Sequence, residues 1–183
     1  MHKIAAQICR SGCMSSHILH LFIKGFPTKI YLSGGSWKLK GQIEEVLSQF
    51  NFDRLKVLCV GICGDWLLDE IGKYTIAKAL NCLPSLNNLS LRDAKLLSDK
   101  DLNTIISSAP LFKSLDLSWC KYITSKGIKS LVKKLGPISQ EVYMKGCIRA
   151  DAMSILSALK KLNCLEALCM AHMDTVTDKF VKN

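Results

Sequence analysis

The sequence predicts an α/β solenoid in which about six short repeats stack, with parallel strands on the concave face and helices on the convex one. Three observations predict it. A fixed set of apolar offsets recurs, the interval between copies holds near one length, and a stretch with helical apolar spacing follows each copy. In Phe112-Lys113-Ser114-Leu115-Asp116-Leu117-Ser118-Trp119-Cys120, apolar residues lie 8, 5 and 3 positions before Cys120. The same offsets give Leu55, Leu58 and Val60 before Cys63, and Leu86, Leu89 and Leu91 before Ala94. They give Leu165, Leu168 and Met170 before Met173. The copy before Cys147 is weaker, with Ser139, Val142 and Met144, and Ile138 beside the polar residue. The poorest copy ends at Gly35, with Ile30 and Leu32. The anchors at 35, 63, 94, 120, 147 and 173 are separated by 28, 31, 26, 27 and 26 residues.

Each element has a physical reason. Alternation through the centre of every copy is the period-two signature of a strand with one buried face. Downstream, apolar residues recur three or four apart, the spacing of one helical face. The groups are Ile43-Val46-Leu47-Phe50, Leu102-Ile105-Ile106, Ile128-Leu131-Val132-Leu135 and Met153-Leu156-Leu159. Strand and helix are too short to hide these faces alone, so successive units must stack. The anchor falls in the turn leaving the strand and is expected to point inward. Cysteine suits it as a small hydrophobe whose thiol meets the neighbouring backbone.

The chain has 183 residues and is 49% hydrophobic, enough for a sizeable core and too apolar for a disordered chain. The organisation expected is an N-terminal helical cap or leader over residues 1–27, then repeats over 28–183 with an incomplete C-terminal cap. The longest early apolar cluster, Ile18 to Ile23, is broken by His20 and too short to span a bilayer. Nine cysteines, several at one repeat position and none behind a secretory signal, read as reduced thiols in the cytoplasm or nucleus. The +10 net charge is uneven: residues 1–43 carry six basic side chains and no acid, and residues 111–161 carry ten against three. Such blocks suit acidic partners or simply form a solvated face. Lys126, Lys129 and Lys133 share one helix face with Lys134 beside them, and no aromatic interleaves them, so a solubility role is expected there.

The segment Phe112 to Leu135, FKSLDLSWCKYITSKGIKSLVKKL, resembles the cysteine-containing leucine-rich repeat of F-box proteins and of antagonist-of-mitotic-exit proteins, in the ribonuclease-inhibitor-like superfamily. That family's pattern runs L-x-x-L-x-L-x-x-C-x-x-I-T-D-x-G-[LI]-x-x-L. Ser125 stands where Asp is usual, while Val176-Thr177-Asp178 restores the pair. The likeness covers residues 28–183 and is strong over 55–135. It implies a non-enzymatic interaction module that recognises a substrate, or scaffolds, in a ubiquitin-ligase setting. The 27 residues before the first repeat are too few for an F-box. A second resemblance is to the mitochondrial ATP-synthase coupling factor B, also a small chain with a segment before a few such repeats. The acid-free beginning, with Ser11, Ser15 and Ser16, has the composition of a transit peptide, so a mitochondrial assembly factor is an alternative. A basic nucleic-acid-associated protein is another.

Residues 6, 4 and 2 before each anchor point outward from the strands and should line the concave face. Arg92, Asp116, Tyr143 and Lys145 occupy such positions, and Trp119 sits just before its anchor on the rim. Aromatic and arginine side chains on a rigid surface are the usual hot spots of protein interfaces. These five are the expected protein-binding residues, although Trp119 also reads as a plain edge cap. No catalytic residues, metal or cofactor are expected. Ser33-Gly34-Gly35-Ser36 has no Gly-Lys-Ser/Thr after it, and no nucleophile elbow or zinc-protease helix motif occurs. Cys59-x-x-x-Cys63 and Cys9-x-x-x-Cys13 lack zinc-knuckle spacing.

Overall fold

The computed structural model of the chain describes residues 28–31, 53–59, 80, 83–94, 96–107 and 112–182. They form an α/β unit with an all-parallel sheet. Six strands follow one another in chain order: β1 (Lys29–Tyr31), β2 (Val57–Cys59), β3 (Asn88–Ser90), β4 (Ser114–Asp116), β5 (Glu141–Tyr143) and β6 (Ala167–Cys169). The register puts Leu58, Leu89, Leu115, Val142 and Leu168 in one central row. In β2 to β5 the central residue is buried and both flanking residues are half-exposed. That is the alternation the sequence predicts.

Four helices are described: α1 (Asp99–Ser107), α2 (Ser125–Leu135), α3 (Ala152–Leu159) and α4 (Asp178–Val181), with a 3-10 turn at Gly136–Ile138 after α2. They pack in sequence order, α1 on α2, α2 on α3 and α3 on α4. Their apolar faces and the central strand row form one core. A three-residue strand or a nine-residue helix is not stable singly, so this shared core holds the elements in place. In α1 and α2 the buried residues include Leu102, Ile105 and Ile106, then Ile128, Leu131, Val132 and Leu135, as predicted.

Two expectations are corrected. Of the stripe Met153-Leu156-Leu159 only Leu159 is buried; α3 buries Ala152 and Ile155 with it, Leu156 is half-buried, and Met153 is exposed. The segment AMSILSAL is apolar almost all round, so periodicity could not choose its inner face. Asp151 caps the start of the helix by accepting the Ser154 N–H at 2.7 Å. In β6 the central Leu168 is 39% exposed, because that strand has a neighbour on one side only within the described sheet. Phe180 packs against the core, while Val181 stays exposed. The expected helix over Ile43–Phe50, the Val60, Cys63 and Gly35 positions and the 1–27 segment lie outside the described residues.

Side chains tie each helix start to the next unit. Asp99 accepts the Thr124 N–H at 2.8 Å and its hydroxyl at 2.5 Å, across to the start of α2. Gly127 is needed there because a Cβ would overlap the Asp99 carboxylate. Ser125, which replaces the usual Asp, plays a similar part with its hydroxyl, accepting the Asp151 N–H at 2.8 Å. Thr175 continues the series by accepting the Ala152 N–H at 2.9 Å.

One inward slot holds a misfit. Where other units bury Leu55, Leu86 or Phe112, this unit buries Ser139, whose hydroxyl makes no hydrogen bond, and Ile138 beside it is exposed. A buried hydroxyl without a partner costs about 1 to 3 kcal/mol. Ser139→Ala is therefore expected to raise the unfolding free energy by about 1 kcal/mol, read as a higher urea midpoint. A lower midpoint would mean that the hydroxyl is satisfied.

Candidate functional site

The strand residues that flank the buried central row project from the face opposite the core. There they line an open depression of about 400 Å³ that runs across β2 to β6. Its floor is set by register: Cys59 pairs with Ser90, Ser90 with Asp116, Asp116 with Tyr143, and Tyr143 with Cys169. Beside this row stand Arg92, Ser118 and Lys145, the residues leaving three successive strands. The structure thus brings together four of the five predicted binding residues, Arg92, Asp116, Tyr143 and Lys145. Trp119 does not line the depression and sits on its rim.

Asp116 is the fixed charge of the floor. One carboxylate oxygen accepts the Ser118 N–H at 2.8 Å and the other accepts the Ser90 hydroxyl at 3.4 Å. Ser118 lines the depression, as expected of its position, but is buried. Burial first, and then the Asp116 charge, push the Cys59 thiol up from its ordinary value. A thiol held protonated is a poor nucleophile. The Tyr143 phenol is likewise pushed up, by partial loss of water and then by the Glu141 and Asp116 charges and its hydrogen bond to Glu141. The floor therefore offers hydrogen-bonding hydroxyls and charges of both signs, an arrangement suited to binding. Among the described residues no three His, Cys, Asp or Glu side chains converge as a metal site. None of the described helices is long and apolar enough to cross a membrane.

The rim follows from the turn leaving each strand. At the position before the anchor the backbone is left-handed in four successive units: Asp93 (φ 63°), Trp119 (φ 66°), Gly146 (φ 69°) and His172 (φ 56°). Hydrogen bonds carry the parallel ladder into this turn, from Asp93 N–H to Ser118 O, Trp119 N–H to Lys145 O and Gly146 N–H to Ala171 O. The Trp119 indole lies on Gly146, where a Cβ would overlap the ring. Beyond it the His172 ring stands 5.5 Å away, and the Lys145 ammonium sits over the indole at 5.7 Å. Two positions past the anchors, Arg149 stacks on Tyr122 at 4.3 Å. Sequence reasoning missed His172, Gly146, Tyr122 and Arg149 as rim residues. Comparing the columns just before and just after each anchor, and not only the strand columns, would have found them.

The anchor cysteines are structural. The Cys120 thiol donates to Leu91 O at 3.3 Å and the Cys147 thiol to Leu117 O at 3.2 Å, each one unit back. Burial raises the Cys120 thiol far above its ordinary value and pushes Cys147 up to about 12. Stability from the neutral Cys147 thiol is thus fully present below its ordinary value of 9.0 and is lost as pH rises through about 12. At pH 8, iodoacetamide should modify the exposed Cys164 in the folded chain and reach Cys120 and Cys147 only after unfolding, as peptide mapping would show. Modification of Cys147 at the rate of Cys164 would contradict this packing.

No protein-family model matches the chain, and a search of curated proteins finds no match.

Proposed function

We propose that the chain is a leucine-rich-repeat solenoid of about six units that acts as a non-catalytic protein-binding module. One observation carries the reading. Five neighbouring parallel strands present an unbroken row of partly exposed side chains on a floor backed by one hydrophobic core. Such a face is pre-organised, so a partner meets fixed groups and little ordering entropy opposes docking. Arg92, Asp116, Tyr143 and Lys145 are its contact residues, with Trp119 on the edge. The repeat resemblance gives the module its setting, recognition of a substrate or scaffolding in a ubiquitin-ligase assembly of the cytoplasm or nucleus.

The test is quantitative affinity purification of the full chain beside an Asp116→Arg/Tyr143→Ala double variant. The reading expects protein partners, cullin-type ligase subunits among them, that the double variant fails to retain. Partners recovered equally by both would place the contact elsewhere. Both substitutions change half-exposed residues, and matched melting curves serve as the folding control.

A further inference from the structure

The rim carries a second kind of surface beside the mixed-charge floor. Around the turns of β4 and β5 it presents the cations Lys121, Lys145 and Arg149 together with the apolar Ile148, which is 55% exposed. Two of these cations are held by rings: Arg149 lies 4.3 Å from the centre of Tyr122, and Lys145 lies 5.7 Å from that of Trp119. A cation on a ring face keeps its place but leaves its N–H groups unspent, since the ring supplies no acceptor oxygen. Stacked arginine is then ready to grip a carboxylate with two parallel hydrogen bonds.

We infer that this rim binds an acidic, extended polypeptide segment that carries apolar side chains, with Arg149, Lys145 and Lys121 taking its carboxylates and Ile148 an apolar residue. The inference rests on the protein-binding reading above and names the partner's chemistry. Charge complementarity decides between polypeptide and nucleic acid only when the rings are considered too. Sequence-tolerant binding of single strands needs ring faces open for bases to stack upon. Here the Trp119 indole lies against Gly146 with Lys145 over it, and Arg149 lies on the exposed Tyr122 ring, so cations of the protein itself already stack where bases would. The exposed lysines of α2 carry comparable charge, yet no aromatic residue occurs between Ile123 and Val142 to hold them. They lack the rim's pairing of fixed charge with apolar surface.

The experiment pans a random peptide display library against the full chain. Comparison chains carry Arg149→Ser/Lys121→Ser at the rim, both outside the floor, or Asp116→Arg on the floor, with melting curves matched beforehand. Selected peptides are expected to be rich in Asp and Glu with interspersed Leu, Ile or Phe. A selected peptide should bind the rim variant about tenfold more weakly, and less tightly as salt rises. The same peptide should still bind the Asp116→Arg chain, which separates this surface from the floor. A selection without acidic bias overturns the inference, and so does an acidic selection that the rim variant retains. Displacement of the peptide by oligothymidylate of similar length would transfer the surface to nucleic acid and overturn it as well. Failure here leaves the floor to be judged on partner retention by its own double variant.

Discussion

Leu115→Ala is expected to lower the unfolding free energy by about 3 kcal/mol, the usual cost of a cavity left by a buried leucine. Leu115 is 0% exposed and sits mid-row in the sheet, paired with Leu89 on one side and Val142 on the other. Its neighbours below come from a core shared by the helices, so the void cannot close by moving one side chain. Domains of this size have net stabilities on the order of 5–15 kcal/mol, so the loss is a large fraction of the total. Urea denaturation followed by circular dichroism measures it. Leu168→Ala is the internal comparison, because Leu168 holds the same strand position yet is 39% exposed. It should cost less than about 1 kcal/mol, as only part of its area is removed from water. Equal losses at the two positions would mean that the central row is not the core of the sheet.

Gly146→Ala is the second large effect, with an expected loss of about 3 kcal/mol. About 1 to 2 kcal/mol comes from forcing a Cβ into the left-handed region at φ 69°. The remainder comes from the Trp119 ring, which the new methyl would displace from Gly146 and from its neighbours Lys145 and His172. A double-mutant cycle separates the two contributions. In a Trp119→Ala background the ring is gone, so Gly146→Ala should cost only the backbone strain, about 1 to 2 kcal/mol. Near-ultraviolet circular dichroism should also change in Gly146→Ala as the indole loses its fixed surroundings. If the cost is the same in both backgrounds, the indole does not rest on Gly146, and the rim geometry proposed for acidic segments loses its support.

The strand faces were legible because alternation is a local property of an extended chain. Spacing alone turns Leu55, Leu58, Leu86, Leu89, Leu91, Phe112, Leu115 and Leu117 inward, and all are buried. Helix faces were legible where polar residues marked the other side, as in α2 with its exposed lysines, and illegible in α3, where almost every residue is apolar. Ser139 shows the same limit from the opposite direction. The register demanded a buried residue at that position, and the greater hydrophobicity of Ile138 did not alter it. For the binding surface, counting from the anchors identified Arg92, Asp116, Tyr143 and Lys145 as neighbours, because parallel register converts equal offsets into adjacency.

The sequence by itself determined the period, the direction each strand residue faces and the small anchors of the turns, since each depends on spacing and side-chain size within one unit. Only the tertiary structure decided what passes between units: Trp119 lying on Gly146 and reaching His172, Asp99 holding Thr124, and Cys147 donating to Leu117. Those contacts join residues about one or two repeats apart, and their geometry follows from the stacking of strands roughly 4.8 Å from one another. No local preference of the chain specifies how a ring, a carboxylate or a thiol will lie across that gap.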